Sequence, residues 1–456
     1  MSVVQDKIAI SESYKSLFEE NRELLNDGSS PLLNRMRDIA ISRFAKAGVP
    51  DVKNEDYKYT SLKPAFSKIY KHYFSYREQE VDLHDVFKCD VPYLDTHLVL
   101  LVNGWYYIRN QKIGNLPTGV IVGSLQQIAY EKPELLQNYL NRQAALSEDA
   151  TVALNTAFAK DGLFIYIPKN VVVEKPIQVV NLMRGNGNAF VTQRNLIIAE
   201  ENSQVKLVMC DHTLSSNEFL CNTVSEVFVG EHAVLDYYTV QNQHNNTKTI
   251  NSTFFRQEAN SNLLTHTATL HGGLVRNNLK VTFNGEHAEA NILGMSFTDK
   301  NQHVDNYTII EHAKPNCLSN QLYKNVLDEN STGAFAGRIH VARDAQKTNA
   351  FQRNNNVLLT DSARMQTKPQ LIIDADDVKC SHGATIGQID REALFFLRSR
   401  GIGEADARLM LMNAFTYEVV QNIRVEPLRD RISELVDKRL RGDLAKCHSC
   451  NYECNS

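Results

Sequence analysis

Apolar positions along the chain change their period twice. Near the N-terminus they recur every three or four residues. In SYKSLFEENRELL, Tyr14, Leu17, Phe18 and Leu24–Leu25 fall on one face of a helix that Ser11 or Ser13 can cap. PLLNRMRDIAISRFAKAG predicts a second helix, with Pro31 in its first turn and Gly48 just past its end. Leu32, Leu33, Met36, Ile39, Ile41 and Phe44 make its apolar stripe. NEDYKYTSLKP (54–64) is polar and aromatic and reads as a loop. Short strands come next in HLVLLVNG, WYYIR and GVIVGSL, then helices over 131–145 and 147–158.

From about residue 162 the helical period stops. Short β-rich runs such as IQVVNLM, RNLIIAE, QVKLVMC, AVLDYYTV and LKVTFNG recur between Gly, Asn, Asp, Ser and Glu. A repeat lies within them. GEHAVLDYY at 230 returns as GEHAEANIL at 285, with ENSQVKLVM at 201 and ANSNLLTHT at 259 between and around them and ENSTGAFAG at 329 and DSARMQTKP at 361 as looser copies. A polar turn followed by alternating apolar residues at near-constant spacing marks a solenoid. Two or three short strands per ~28 residues suit one coil of a β-helix, and about eight coils at ~4.8 Å each give a rod of order 40 Å. A sandwich of regular hairpins would also give short strands and polar turns; the faithful return of the GEHA phase favours the coil. His232 and His287 hold equivalent repeat positions and read as structural turn residues that stack on one another.

After Asp390 the helical period returns in REALFFLRSRGI, EADARLMLMNAFTYEVVQNI and LRDRISELVDKRLRGDLA, interrupted at Gly401, Gly403 and Pro427. The chain thus divides into an N-terminal helical region (1–95), a mixed lead-in (96–160), a β-helix core (161–389), a C-terminal helical domain (390–445) and a tail (446–456). The helical segments on either side can cover the open rows of backbone donors and acceptors that a β-helix leaves at its ends.

Composition narrows the function. The 456 residues carry a formal net charge of −4 and 43% hydrophobic residues. That fits a soluble protein with a large core and argues against a nucleic-acid binder, which would show a basic face. The N-terminus has no apolar signal core, and LVLLV (98–102) is too short to span a bilayer. A cytoplasmic location and no membrane contact are expected. Of eight cysteines, 89, 210, 221, 317 and 380 are scattered, as in a reducing compartment. Cys447, Cys450 and Cys454 cluster with His448 in the tail. They supply enough donors for a metal, in a spacing that approaches zinc and iron–sulfur patterns without matching the four-ligand sets. A frayed tail with exposed thiols is the plainer reading. No phosphate-binding glycine loop occurs in the strand region.

DADDVKCSHGATIGQID (374–390) straddles the junction between rod and helices. LIIDADDVKC carries the last strand signals, SHGATIGQ reads as a turn, and Asp390 can cap the next helix. Cys380 reads as a small buried residue of the last coil, His382 as a turn residue. Cys-x-His offers two metal donors, which are not by themselves a site. Asp374, Asp376 and Asp377 keep open a carbohydrate-active β-helix enzyme, since alternation would put 374 and 376 on one side. A stand-alone metal-binding protein using the tail thiols is a third possibility.

TKPQLIIDADDVKCSHGATIGQID, followed by ALFFLRSRGI and EADARLMLMNAF, closely resembles the SufD family of iron–sulfur cluster assembly components, which pair with SufB and the ABC-type ATPase SufC. NEDYKYTSL is similar too, with Tyr57 where the family more often has Trp. The resemblance implies a mainly β fold, a right-handed parallel β-helix flanked by N- and C-terminal helical regions. It implies no catalysis by the chain itself. It implies a non-catalytic scaffold whose β-helix end meets a SufB-like subunit and whose C-terminal helices meet a SufC-like ATPase, with ATP turnover in the latter moving the pair. A nascent Fe–S cluster would pass transiently at the interface, none being bound tightly by this chain alone, and an isolated chain could form a homodimer. The His of CSHGAT maps onto His382, as an interface- and cluster-associated residue sharing metal with the partner; Cys380 matches the motif beside it. SufB-type chains carry a cysteine in the strand before this motif. Here NNNVLLTDSARM has none, Thr360 preceding Asp361, as befits SufD rather than SufB. Arg398, Arg400, Glu404 and Asp406 fall in the ATPase-contacting region and equally suit a solvated face.

Overall fold

A computed structural model describes residues 2–76, 95–107 and 113–442. Cys447, Cys450, Cys454 and His448 lie outside the described residues. From residue 163 onward the chain winds between two sheets, each strand hydrogen-bonding in parallel to the strand two further along. Gln204, Val234, Asn262, Glu289, Leu318, Asn349 and Lys379 stand in register through successive coils of one sheet. The connections are therefore coils and not hairpins, which makes the core a parallel β-solenoid.

The recurring GEHA turn has a steric cause. An added Cβ on Gly285 would lie 2.0 Å from the Ala259 backbone nitrogen, and one on Gly230 would lie 2.7 Å from that of Glu201. His232 (φ 56°) and His287 (φ 58°) take the left-handed turn position, which Asn202 and Asn260 fill in the alternate coils. The histidines thus alternate with asparagines instead of stacking on one another. The ladder runs through the turn, His232 N donating to Ala259 O at 3.0 Å. Inside, part of the section is apolar, with Leu207, Leu235, Phe255, Ile292 and Ile339 buried. The rest is a polar file in which Gln241 donates to Asn277 (2.9 Å), Asn277 to Asn306 (3.0 Å) and Asn325 to Asn356 (2.7 Å).

Helices cover one outer face of each sheet. Pro31–Ala47 starts where Ser30 Oγ accepts from Leu33 N and ends at Gly48 (φ 73°), as its sequence predicts. The first helix begins at Ser2, so Ser11 and Ser13 lie inside it; no Gly or Pro in the preceding residues interrupts the turn. The helix expected over 131–145 is displaced. Leu125–Glu131 is helical, capped by Ser124, and the stretch beyond it holds only short 3₁₀ turns at Pro133–Leu135 and Ala144–Leu146. Pro133 removes a donor, and Asn141 adopts φ 61° while its N–H donates to buried Glu226 at 2.7 Å. Ala150–Phe158, capped by Asp149, joins Tyr14, Phe18, Phe44 and Phe158 in an aromatic cluster over Phe190, Leu220 and Ile250 of the first sheet.

The NEDYKYT segment straps this layer to the solenoid. Tyr57 Oη donates to Asp149 at 2.6 Å, and the Arg276 guanidinium sits between the Tyr57 and Tyr307 rings, 4.3 and 4.8 Å from their centres. On the second sheet, Glu404–Val420 and Glu426–Leu440 bury Met412, Val419, Leu428 and Leu435 against Tyr238, Leu264, Leu293 and Leu322. Arg439 pins them, donating to Leu270 O at 2.8 Å and pairing with Asp299.

Buried His266, His271 and His312 and the half-buried His72 set the acid limit of the fold. Burial lowers His72, His266 and His271 to about 4 and His312 to about 3. The unfolded chain takes up these protons near pH 6.5, the folded one only well below. Stability is therefore full above pH 6.5 and falls as acid approaches the folded values, by up to roughly 2 kcal/mol per histidine at pH 5. Thermal melts should show a clear drop in Tm between pH 7 and pH 5; an unchanged Tm would mean that these rings are solvated.

Candidate functional site

The two ends of the solenoid differ. At the first, the sheets close on short antiparallel edge strands, Ile121–Ser124 and Trp105–Tyr106, of 4 and 2 residues. At the last, Arg364–Ile373 and Lys379–Gln388 are both 10-residue edges with no strand beyond them in the described residues. Long unprotected edges are what proteins ordinarily blunt. Here the edges also carry exposed apolar side chains: Ile372, Ile373 and Ile386 are 41–46% exposed.

His382 and Cys380 lie on this last strand. KCSHGATIGQ is a full parallel strand, so SHGATIGQ is not the turn that its small and polar residues suggest. Register puts Cys380 beside Ala350 and His382 beside Gln352, both of which are buried, so the pair shares the inward face of the final coil. Cys380 packs half-buried against the core, and burial raises its thiol above the usual value. It should stay protonated at neutral pH and alkylate with iodoacetamide more slowly than a free cysteine. Labelling as fast as the free thiol would contradict that. His382 is exposed, and its ring makes no hydrogen bond among the described residues. A neutral imidazole there is free to bind a metal held mainly by another chain.

Asp374 and Asp376 do not share a strand face. Asp374, Asp376 and Asp377 lie in the corner between the last two strands, where strand alternation does not apply. Asp374 meets His340 at 3.2 Å and Asp377 pairs with Lys347. Thr360 sits in the previous corner, donating to Glu329 O at 2.9 Å. Among the described residues, no group of three or more His, Cys, Asp or Glu could hold a metal. A cleft of about 390 Å³ between the strap and the first sheet, lined by Tyr57, Asp149, Arg276, Tyr307 and Arg338, does not include Cys380 or His382.

Next to the open end, Asp390 caps Arg391–Ser399 by accepting from Glu392 N and Ala393 N at 2.9 and 3.0 Å. This helix buries none of its residues and leaves Phe395 and Phe396 74% and 56% exposed. Sequence alone does not single out the exposed end residues or Gln352. Their signal is register: Gln321, Gln352 and His382 recur one coil apart.

Fold and site together define a parallel β-solenoid with an open, imidazole-bearing end and an uncovered aromatic helix beside it. The chain belongs to the SufBD family. The SUF system FeS cluster assembly SufBD core domain matches residues 182–415, and the SufBD protein N-terminal region matches 8–179. It is 32% identical over 350 residues to an iron–sulfur cluster assembly SufBD family protein of Synechocystis, covering 75% of this chain and 77% of the relative. It is 42% identical over 177 residues to the SufD protein of Escherichia coli (39% and 42% covered) and 26% identical over 329 residues to that of Bacillus subtilis (71% and 74% covered). No described helix is long and apolar enough to cross a membrane.

Proposed function

We propose that this chain is a non-catalytic, SufD-type scaffold subunit of a cytoplasmic Fe–S cluster assembly complex. Its open solenoid end pairs with a SufB-like subunit, and its C-terminal helices take a SufC-like ATPase. The observation that carries the reading is the open end, where two 10-residue edge strands offer free backbone groups, Ile372 and Ile373 on one and His382 with Ile386 on the other. Edge-to-edge docking would satisfy the backbone and bury the isoleucines. It would also bring His382, with Cys380 beside it, to the joint, where a nascent cluster held by partner thiolates can take an imidazole ligand. The cluster is cargo, bound in passing. The uncovered Phe395 and Phe396 suit an apolar anchor for the ATPase.

Anaerobic co-expression with SufB-like and SufC-like chains tests this. One complex containing all three, with iron present only when all three are, is the expected result. Purification of this chain alone beside an intact pair of the other two would sink the proposal.

A further inference from the structure

Gln352 ends a hydrogen-bonded file inside the solenoid. Gln321, Gln352 and His382 are register neighbours on three successive strands of one sheet. Gln321 Nε2 donates to Thr308 Oγ1 of the facing sheet at 2.6 Å, and Gln352 Nε2 donates to Gln321 Oε1 at 2.7 Å. The donation runs one way, leaving Gln352 Oε1 buried and without a donor. Beyond Gln352 the register supplies one more inward side chain, the His382 ring. Space for the amide is built in: a Cβ on Gly337 would lie 2.0 Å from Gln352 Nε2.

A buried acceptor with no partner is costly, and in-register side chains stack about 4.8 Å apart, within reach of a rotation of the imidazole. A metal-binding imidazole must be neutral, and the hydrogen bond made by one ring nitrogen decides which nitrogen keeps its lone pair. We propose that Gln352 is a positioning residue for His382: its Oε1 accepts the ring N–H, fixing the tautomer and leaving the other nitrogen free toward the joint. A neutral amide does this without favouring the imidazolium, as a carboxylate would. The inference rests on the role of His382 proposed above.

The test uses the full chain labelled with ¹⁵N-histidine, the His382 ring signals being assigned by their loss in His382→Gln. One dominant tautomer is expected for the parent, and a mixture in Gln352→Met and in Gly337→Ala, which displaces the amide without altering it. Gln352→Glu keeps an acceptor in the same place and should hold the parent's single tautomer; Gly337→Ala carries the test if Gln352→Met does not fold. Cluster delivery by the folded Met variant should fall about tenfold. Ring shifts unchanged in the folded Met and Ala variants would overturn the inference. Full delivery by His382→Ala would instead remove the role of His382 and leave the ring-shift result standing.

Discussion

A His382→Ala chain is expected to fold and to melt within a few degrees of its parent, yet to lose most cluster delivery beside SufB-like and SufC-like subunits. The stability half follows from exposure. His382 lies on an uncovered strand, so the substitution removes at most the one bond proposed to Gln352, about 1 kcal/mol. The functional half follows from chemistry. If the partner supplies thiolates, this ring is the donor that the present chain adds at the joint, and its loss should cost at least about tenfold, the scale seen even for groups one shell out. Transfer of clusters to an apo-acceptor under anaerobic conditions reads the effect. Undiminished transfer by a folded, complexed variant would remove His382 from the site.

Arg276→Leu should produce the largest loss of stability, about 3–5 kcal/mol, the usual result of stranding one member of a buried ion pair. Arg276 is 1% exposed, paired with Asp305, and donates to Asp56 O at 2.7 Å. Thr60 also reaches Asp305, and its hydroxyl lies 2.8 Å from His303 Nε2. Asp56, Tyr57 and Thr60 all belong to the strap, so damage should appear there first. Hydrogen exchange should quicken over residues 54–62 before the solenoid strands respond. Replacing Asp305 as well should recover much of the loss, since removing both charges of a buried pair is often neutral. A single variant as stable as the parent would mean that the strap is held by other contacts.

Features with local causes were legible in the sequence. Pro31 and Gly48 bound their helix, Asp390 caps the helix that follows it, and the glycine of GEHA marks where one coil's backbone presses on the next. Features decided by distant contacts were not. Asn141 breaks the expected helix because Glu226 takes its N–H. SHGATIGQ reads as a turn because apolar alternation records a covered face, and this strand has no coil beyond it among the described residues to cover it. The polarity that hid the strand is also what makes it a candidate docking edge. Gln352 looks like any polar strand residue until register sets it between Gln321 and His382. Tyr57 is visible in the sequence only as a motif position; its ring stacks on the guanidinium of Arg276, far along the chain and beyond any local pattern.

The central claim is that the open solenoid end is a docking edge. It is tested most directly by Ile373→Asp combined with Ile386→Asp, co-expressed with SufB-like and SufC-like chains and weighed by native mass spectrometry. Both side chains are exposed, at 41% and 46%, so the free chain should melt normally. The account predicts that the SufB-like subunit is lost from the complex while the SufC-like one still binds. A full three-chain complex with the parent's stoichiometry would contradict it.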